Sequence, residues 1–156
     1  MRRPNGWLPL ATGLAVLVFA GCVSKMESVP AVSPGPQRPE PTVAGALVIE
    51  QFLRAVNSYD LDTMARLHGT VNGPIAGLYP AQEVRDRMRL MAEILKHEDY
   101  SILRTEIVPG RRDEASSVIV KMAVGGRDVE VPYTLVWTHS RNWLIEKIDL
   151  EKVTGR

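Results

Sequence analysis

The chain has 156 residues, with 19 Lys and Arg against 18 Asp and Glu and a net charge of +1. That balance offers none of the basic excess that nucleic-acid binding draws on, so no nucleic-acid partner is expected. Cys22 is the only cysteine, which rules out an internal disulfide.

In chain order, the first element is an export signal. Arg2 and Arg3 give a positive start, an apolar run extends from Leu8 to Ala20, and the small residues Ala20 and Gly21 follow. The run is shorter than the roughly 20 apolar residues a membrane-spanning helix needs. Phe19-Ala20-Gly21-Cys22 resembles the bacterial lipobox, with Phe19 where leucine is usual. The resemblance implies cleavage after residue 21 and lipidation of Cys22. Anchoring in the cell envelope then comes through the lipid, because buried acyl chains contribute about 0.8 kcal/mol per CH₂. Val23 follows the cysteine, which implies the outer membrane if the cell is Gram-negative. Removing residues 1–21 removes two arginines and no acid, so the net charge passes from +1 to −1.

Residues 22–42 carry Pro30, Pro34, Pro36, Pro39 and Pro41 among small and charged residues. Such a stretch buries too little apolar area to offset its ordering entropy. It reads as a disordered tether which, at about 3.1 Å per residue, reaches up to roughly 60 Å.

Residues 43–156 have the size of one domain. Ala46, Ile49, Phe52, Leu53 and Val56 recur at helical spacing. Asp60 is placed to cap a short second helix holding Leu61, Met64 and Leu67. Gly69 to Pro80 reads as a loop. A third helix over 81–96 has Val84, Met88, Met91 and Leu95 as its apolar stripe. After Asp99 the period becomes two, predicting strands over 100–108, 116–124, 127–138 and 143–150. Gly125-Gly126 is a two-residue hairpin signal that pairs Val124 with Arg127, Met122 with Val129, Val120 with Val131 and Val118 with Tyr133. Val118, Val120, Met122, Val129, Val131, Tyr133, Leu135 and Trp137 then share one face, and Lys121, Glu130, Thr134 and Thr138 the other. The turn at Ser140 to Asn142 leaves the register of the last strand open.

The order of these elements resembles the nuclear transport factor 2-like superfamily. The likeness lies in Phe52 to Asn57, Asp60-Leu61-Asp62, Gly126-Arg127 through Pro132, and Trp143 to Ile148. It implies an α+β fold: a cone-shaped domain with N-terminal helices packed on a curved, mostly antiparallel four-stranded sheet. Such a cone can hold an apolar ligand, host catalysis or be filled by side chains, so the fold does not choose a function. Ketosteroid isomerase, an enzyme of that superfamily, uses a carboxylate base and two acidic hydrogen-bond donors. Aligned on Asp60-Leu61-Asp62, its donor tyrosine falls at Phe52 and its base near Ala76. Aligned on Pro132, its second donor falls at Thr134. None of these three can do that work.

His68, His97 and His139 lack metal-ligand spacing, so no metal or other cofactor is expected. The remaining candidates are a His68 general base oriented by Asp60 or Asp62, and Phe52, Tyr133, Trp137 and His139 as pocket-lining groups. The leading expectation is a non-enzymatic envelope domain that binds a small apolar ligand or an envelope protein. A small lyase or isomerase built on His68, and a structural homodimerisation module, are the alternatives.

Overall fold

The computed structural model describes residues 41–111 and 114–155; the export signal, Cys22 and the tether up to residue 40 lie outside the described residues. Helix α1 spans Pro41–Ser58. It begins two residues before the domain boundary read from the sequence, and its first residue is proline, which the first helical turn tolerates because that amide needs no partner. Ile49, Phe52, Leu53 and Val56 are buried along one face. Gly45 lies on the same face. A Cβ there would come within 2.5 Å of Leu135 Cδ1, so the missing side chain lets the helix approach the sheet.

The α1 end is tightly closed. Tyr59 takes the left-handed conformation at φ 60°, which is costly for a bulky residue. Its amide donates to Val56 O at 3.1 Å, the Asp60 amide donates to Ala55 O at 2.9 Å, and the Tyr59 hydroxyl donates to Glu93 Oε1 at 3.3 Å. The chain thereby turns directly into α2, Leu61–Leu67, with Asp60 as its cap as the sequence predicts.

The stretch read as a plain loop contains a miniature hairpin, β1 (Gly69–Thr70) against β2 (Gly73–Pro74), and then a single 3₁₀ turn over Ile75–Gly77. Two-residue strands are too short to leave a period in the sequence. Gly69 makes them possible: a Cβ there would collide with the Gly73 carbonyl and would lie 2.8 Å from Leu144 Cδ1. Helix α3, Ala81–Leu95, buries Val84, Met88, Ala92 and Leu95. Met91, expected in the stripe, is half-buried at its margin, and the smaller Ala92 takes the central position.

Four strands follow: β3 (Asp99–Ile107), β4 (Ala115–Val124), β5 (Arg127–Trp137) and β6 (Trp143–Ile148). They form an antiparallel sheet in sequence order. The β4–β5 register is the one the Gly125-Gly126 turn dictates. The last register is also fixed: Trp137 faces Trp143, and the Thr138 amide donates to Asn142 O across a loop of His139, Ser140 and Arg141. Bulges at Leu103 and Glu146 shift the register of both outer pairs. Extra residues of this kind bend a strand and raise its twist, which curves the sheet about the helices. The last strand stops at Ile148. Leu150, assigned to it from the sequence, starts a one-turn helix α4, Leu150–Thr154, whose Val153 is buried and whose end is set by Gly155 at φ 70°.

Val118, Val120, Met122, Val131, Tyr133, Leu135, Ile145 and Ile148 from the sheet meet α1, α2 and α3 in one core. The other face carries ion pairs toward the β3 side: Arg104 with Glu106 and Glu130, and Lys121 with Asp128. Exposed pairs of this sort add little stability. Thr138, expected on that face, is instead buried in the β5–β6 turn, where it bonds Asn142. His97 follows the end of α3. It is a buried clasp: Nδ1 donates to Leu95 O at 2.9 Å, and Nε2 accepts from Asn57 Nδ2 at 3.2 Å. Asn57 also bonds the His97 backbone at both N and O, tying the end of α1 to the α3–β3 link.

Candidate functional site: a cleft between the second and third helices

The interior of the helix–sheet sandwich is occupied by the protein's own side chains. Phe52 and Tyr133 are fully buried among Leu53, Met64, Met88 and Met122. The Tyr133 hydroxyl donates to Met122 Sδ at 3.2 Å. Burial pushes its pKa far above the ordinary phenol value, so it stays neutral. Neither Phe52 nor Tyr133 lines any of the clefts described below, and both act as packing residues.

Asp60 and His68 occupy opposite ends of α2. That helix has seven residues, and at about 1.5 Å rise each its ends stand roughly 10 Å apart. The Asp60 carboxylate accepts from the Thr63 amide at 3.0 Å and from Thr63 Oγ1 at 2.7 Å, and these bonds hold its pKa below the usual carboxylate value. Asp62 is exposed in the first turn. His68 closes the helix. Its amide donates to Met64 O at 3.0 Å, its carbonyl accepts from the Ile75 amide at 2.9 Å, and its backbone bridges to Ile145. Its Nδ1 is buried and has no hydrogen-bond partner among the described residues. Burial, and then the positive charge of Arg87, hold the imidazole below the ordinary histidine pKa. The ring is thus a neutral packing group at a helix–hairpin junction, and the structure does not bring it together with either aspartate.

Trp137 and His139 do come together, at the far end of β5. Trp137 is half-buried and stacks at a tilt on Trp143, with ring centroids 5.3 Å apart. With Val71, Glu114 and Thr138 they line a surface hollow of about 330 Å³. The position of His139 is held by its amide, which donates to Val71 O at 3.0 Å.

A different cleft, of about 310 Å³, lies between α2, the 3₁₀ turn and α3. Its floor is Leu61, Ala65 and Val84, and Ala76 and Ala81 form its walls. Asp62, Arg66 and Arg85 stand around it. The opening exists because three of the five apolar lining residues are alanines: the helices are held apart by the core beneath, and small side chains do not refill the space above. A neighbouring hollow shares Leu61, Asp62 and Arg85 and adds Tyr59, Asp60 and Arg89. The charges divide unevenly. Arg87 pairs with Glu83 at 2.5 Å and Arg89 with Asp86 at 3.7 Å, whereas Arg85 has no ion-pair partner among the described residues. Arg66 donates to Thr63 Oγ1 at 2.7 Å. Sequence reasoning missed this site, because alanines and scattered arginines carry no motif and only folding puts them together. Among the described residues no cluster of three or more His, Cys, Asp or Glu is arranged to hold a metal.

No protein-family model matches the chain, and no curated protein matches it. Among solved structures, it is similar to an NTF-2-like protein of unknown function from Silicibacter pomeroyi, with 14% identity and a TM-score of 0.46 over 69% of this chain and 91% of that one. It is also similar to a phospholipid-binding protein from Ralstonia solanacearum, solved in complex with a phospholipid, with 11% identity and a TM-score of 0.40 over 72% of this chain and 82% of that one.

Proposed function

We propose that the chain is a lipid-anchored envelope protein with a nuclear transport factor 2-like domain that works by binding rather than catalysis. Its ligand is a small apolar molecule taken into the α2–α3 cleft. One observation carries this reading: the interior is packed by Phe52, Tyr133 and the core methionines, while apolar space is open at the surface beside Leu61, Ala65 and Val84. Concave, mostly apolar sites with a few fixed polar groups, starting near 300 Å³, are where small ligands bind. Against a lyase or isomerase built on His68 stand its enclosed Nδ1 and the placing of Asp60 at the opposite end of α2 and Asp62 in its first turn, away from the imidazole at the helix end.

The test uses 1-dodecanol as the apolar probe and calorimetry on the mature protein. Ala76→Trp, which fills the cleft from an exposed position, should abolish binding. Tyr133→Phe should leave it intact. The reverse pattern would put the ligand in the interior and refute the cleft. Anchoring is tested apart from the ligand. Cys22→Ala should lose all lipid labelling and release the domain from the membrane fraction; labelling that persists would remove the anchor from the proposal.

A further inference from the structure

The cleft has a polarity of its own, and we infer from it that the ligand is an anionic amphiphile: an apolar chain with a carboxylate or phosphate head that Arg85 and Arg66 receive. The inference rests on the cleft reading above and adds the head group to it. Leu61, Ala65 and Val84 give the site an apolar floor, and two guanidiniums against the single carboxylate of Asp62 give it a positive rim. The neighbouring arginines of α3 are committed elsewhere: Arg87 to Glu83 and, over its other side, to the Tyr79 ring at 5.0 Å, and Arg89 to Asp86. Arg85, one turn after the helix start at Ala81, has no such partner among the described residues and is exposed at the cleft. An unpaired guanidinium keeps its planar fork of donors available, and that fork matches the paired oxygens of a carboxylate or phosphate. Arg66 donates to the Thr63 hydroxyl and also feels the nearby Asp60 carboxylate, so it is the less available of the two guanidiniums. Asp60, whose oxygens accept from Thr63, makes no short ion pair with either arginine among the described residues. The apolar floor excludes a bare anion as the preferred ligand: inorganic phosphate would leave that surface wet, whereas an alkyl chain covers it.

The experiment compares three probes on the mature protein by calorimetry, each below its aggregation concentration: dodecyl phosphate, 1-dodecanol and inorganic phosphate. Dodecyl phosphate should bind at least about tenfold more tightly than the alcohol, the difference one charge-assisted head contact makes. Inorganic phosphate should bind far more weakly than either. Arg85→Gln should erase the preference for the phosphate head by about tenfold, read as the ratio of dodecyl phosphate to dodecanol affinity on the same variant, with unchanged circular dichroism as the folding control. Arg66→Gln should act in the same direction by a smaller factor. Equal affinity for dodecyl phosphate and dodecanol, or a preference that survives Arg85→Gln, overturns the head-group assignment and leaves the cleft standing. Inorganic phosphate binding as tightly as dodecyl phosphate overturns it too. If dodecanol binding is untouched by Ala76→Trp, or no probe binds, the cleft reading itself is lost and the head group with it.

Discussion

Helices α2 and α3 bound two apolar spaces, one beneath them and one between them, and the two have opposite fates. Beneath, Met64 and Met88 meet Phe52, Met122 and Tyr133, all essentially without exposure. Between, Ala65, Ala76 and Ala81 stand where larger residues would have closed the gap. The same pair of helices thus supplies a packed core and an open cleft, and side-chain volume alone separates them. Hydrophobic pattern says which face turns away from water; whether that face leaves room depends on how much volume the opposing residues bring.

The contrast predicts that equal chemical changes have unequal effects in the two spaces. The largest effect is expected for Phe52→Ala, which opens a cavity in the core and should cost about 3–5 kcal/mol of stability by urea denaturation. A loss under about 1 kcal/mol would mean the interior is looser than its packing indicates. His68 is next. Its pKa is lower folded than unfolded, so the unfolded chain takes up a proton first as the pH falls. The stability tied to neutral His68 is therefore full above the ordinary value of 6.5 and is lost progressively as the pH drops below it toward the folded pKa. Thermal melts at pH 5 and 7.5 should differ less in His68→Gln than in the parent, and an unaltered difference would acquit this residue. Tyr133→Phe removes a hydroxyl that donates to a weak sulfur acceptor, so the loss should stay below about 1 kcal/mol. Smallest of all is Ala76→Leu. The site is exposed, so stability should stay within about 0.5 kcal/mol, while the cleft narrows and amphiphile binding weakens.

Much of the fold is written locally. The Gly125-Gly126 turn fixes a whole strand pair because a two-residue loop permits a single register. Asp60 announces α2 because an N-cap depends on one residue and the amides just after it. The β1–β2 hairpin and α4 are not written this way. None spans two periods of its own structure, and each is held by what it packs against, as Gly69 is by Leu144. The candidate site divides along the same line. Aromatic residues such as Phe52 and Tyr133 are conspicuous in the sequence, yet they fill the interior rather than line an opening. The cleft is assembled from residues that are individually unremarkable, Ala65 on α2, Ala76 in the 3₁₀ turn, and Ala81 and Arg85 one turn apart on α3, and no spacing in the chain relates the three elements to one another.

The bulge at Leu103 has a consequence for how copies of this domain behave beside one another. β3 is the outer strand of the sheet, and an unpaired edge is a template on which a second chain can polymerise. Here the ladder is interrupted, so the edge offers two runs, Asp99–Ile102 and Arg104–Ile107. Each is shorter than the roughly six residues that a self-propagating β-zipper needs. Arg104 and Glu106 on the second run add charge that an incoming identical strand would have to match. A kink that shapes the sheet around its core therefore also breaks its outer edge into two short runs, a poorer template for a second copy than one continuous strand.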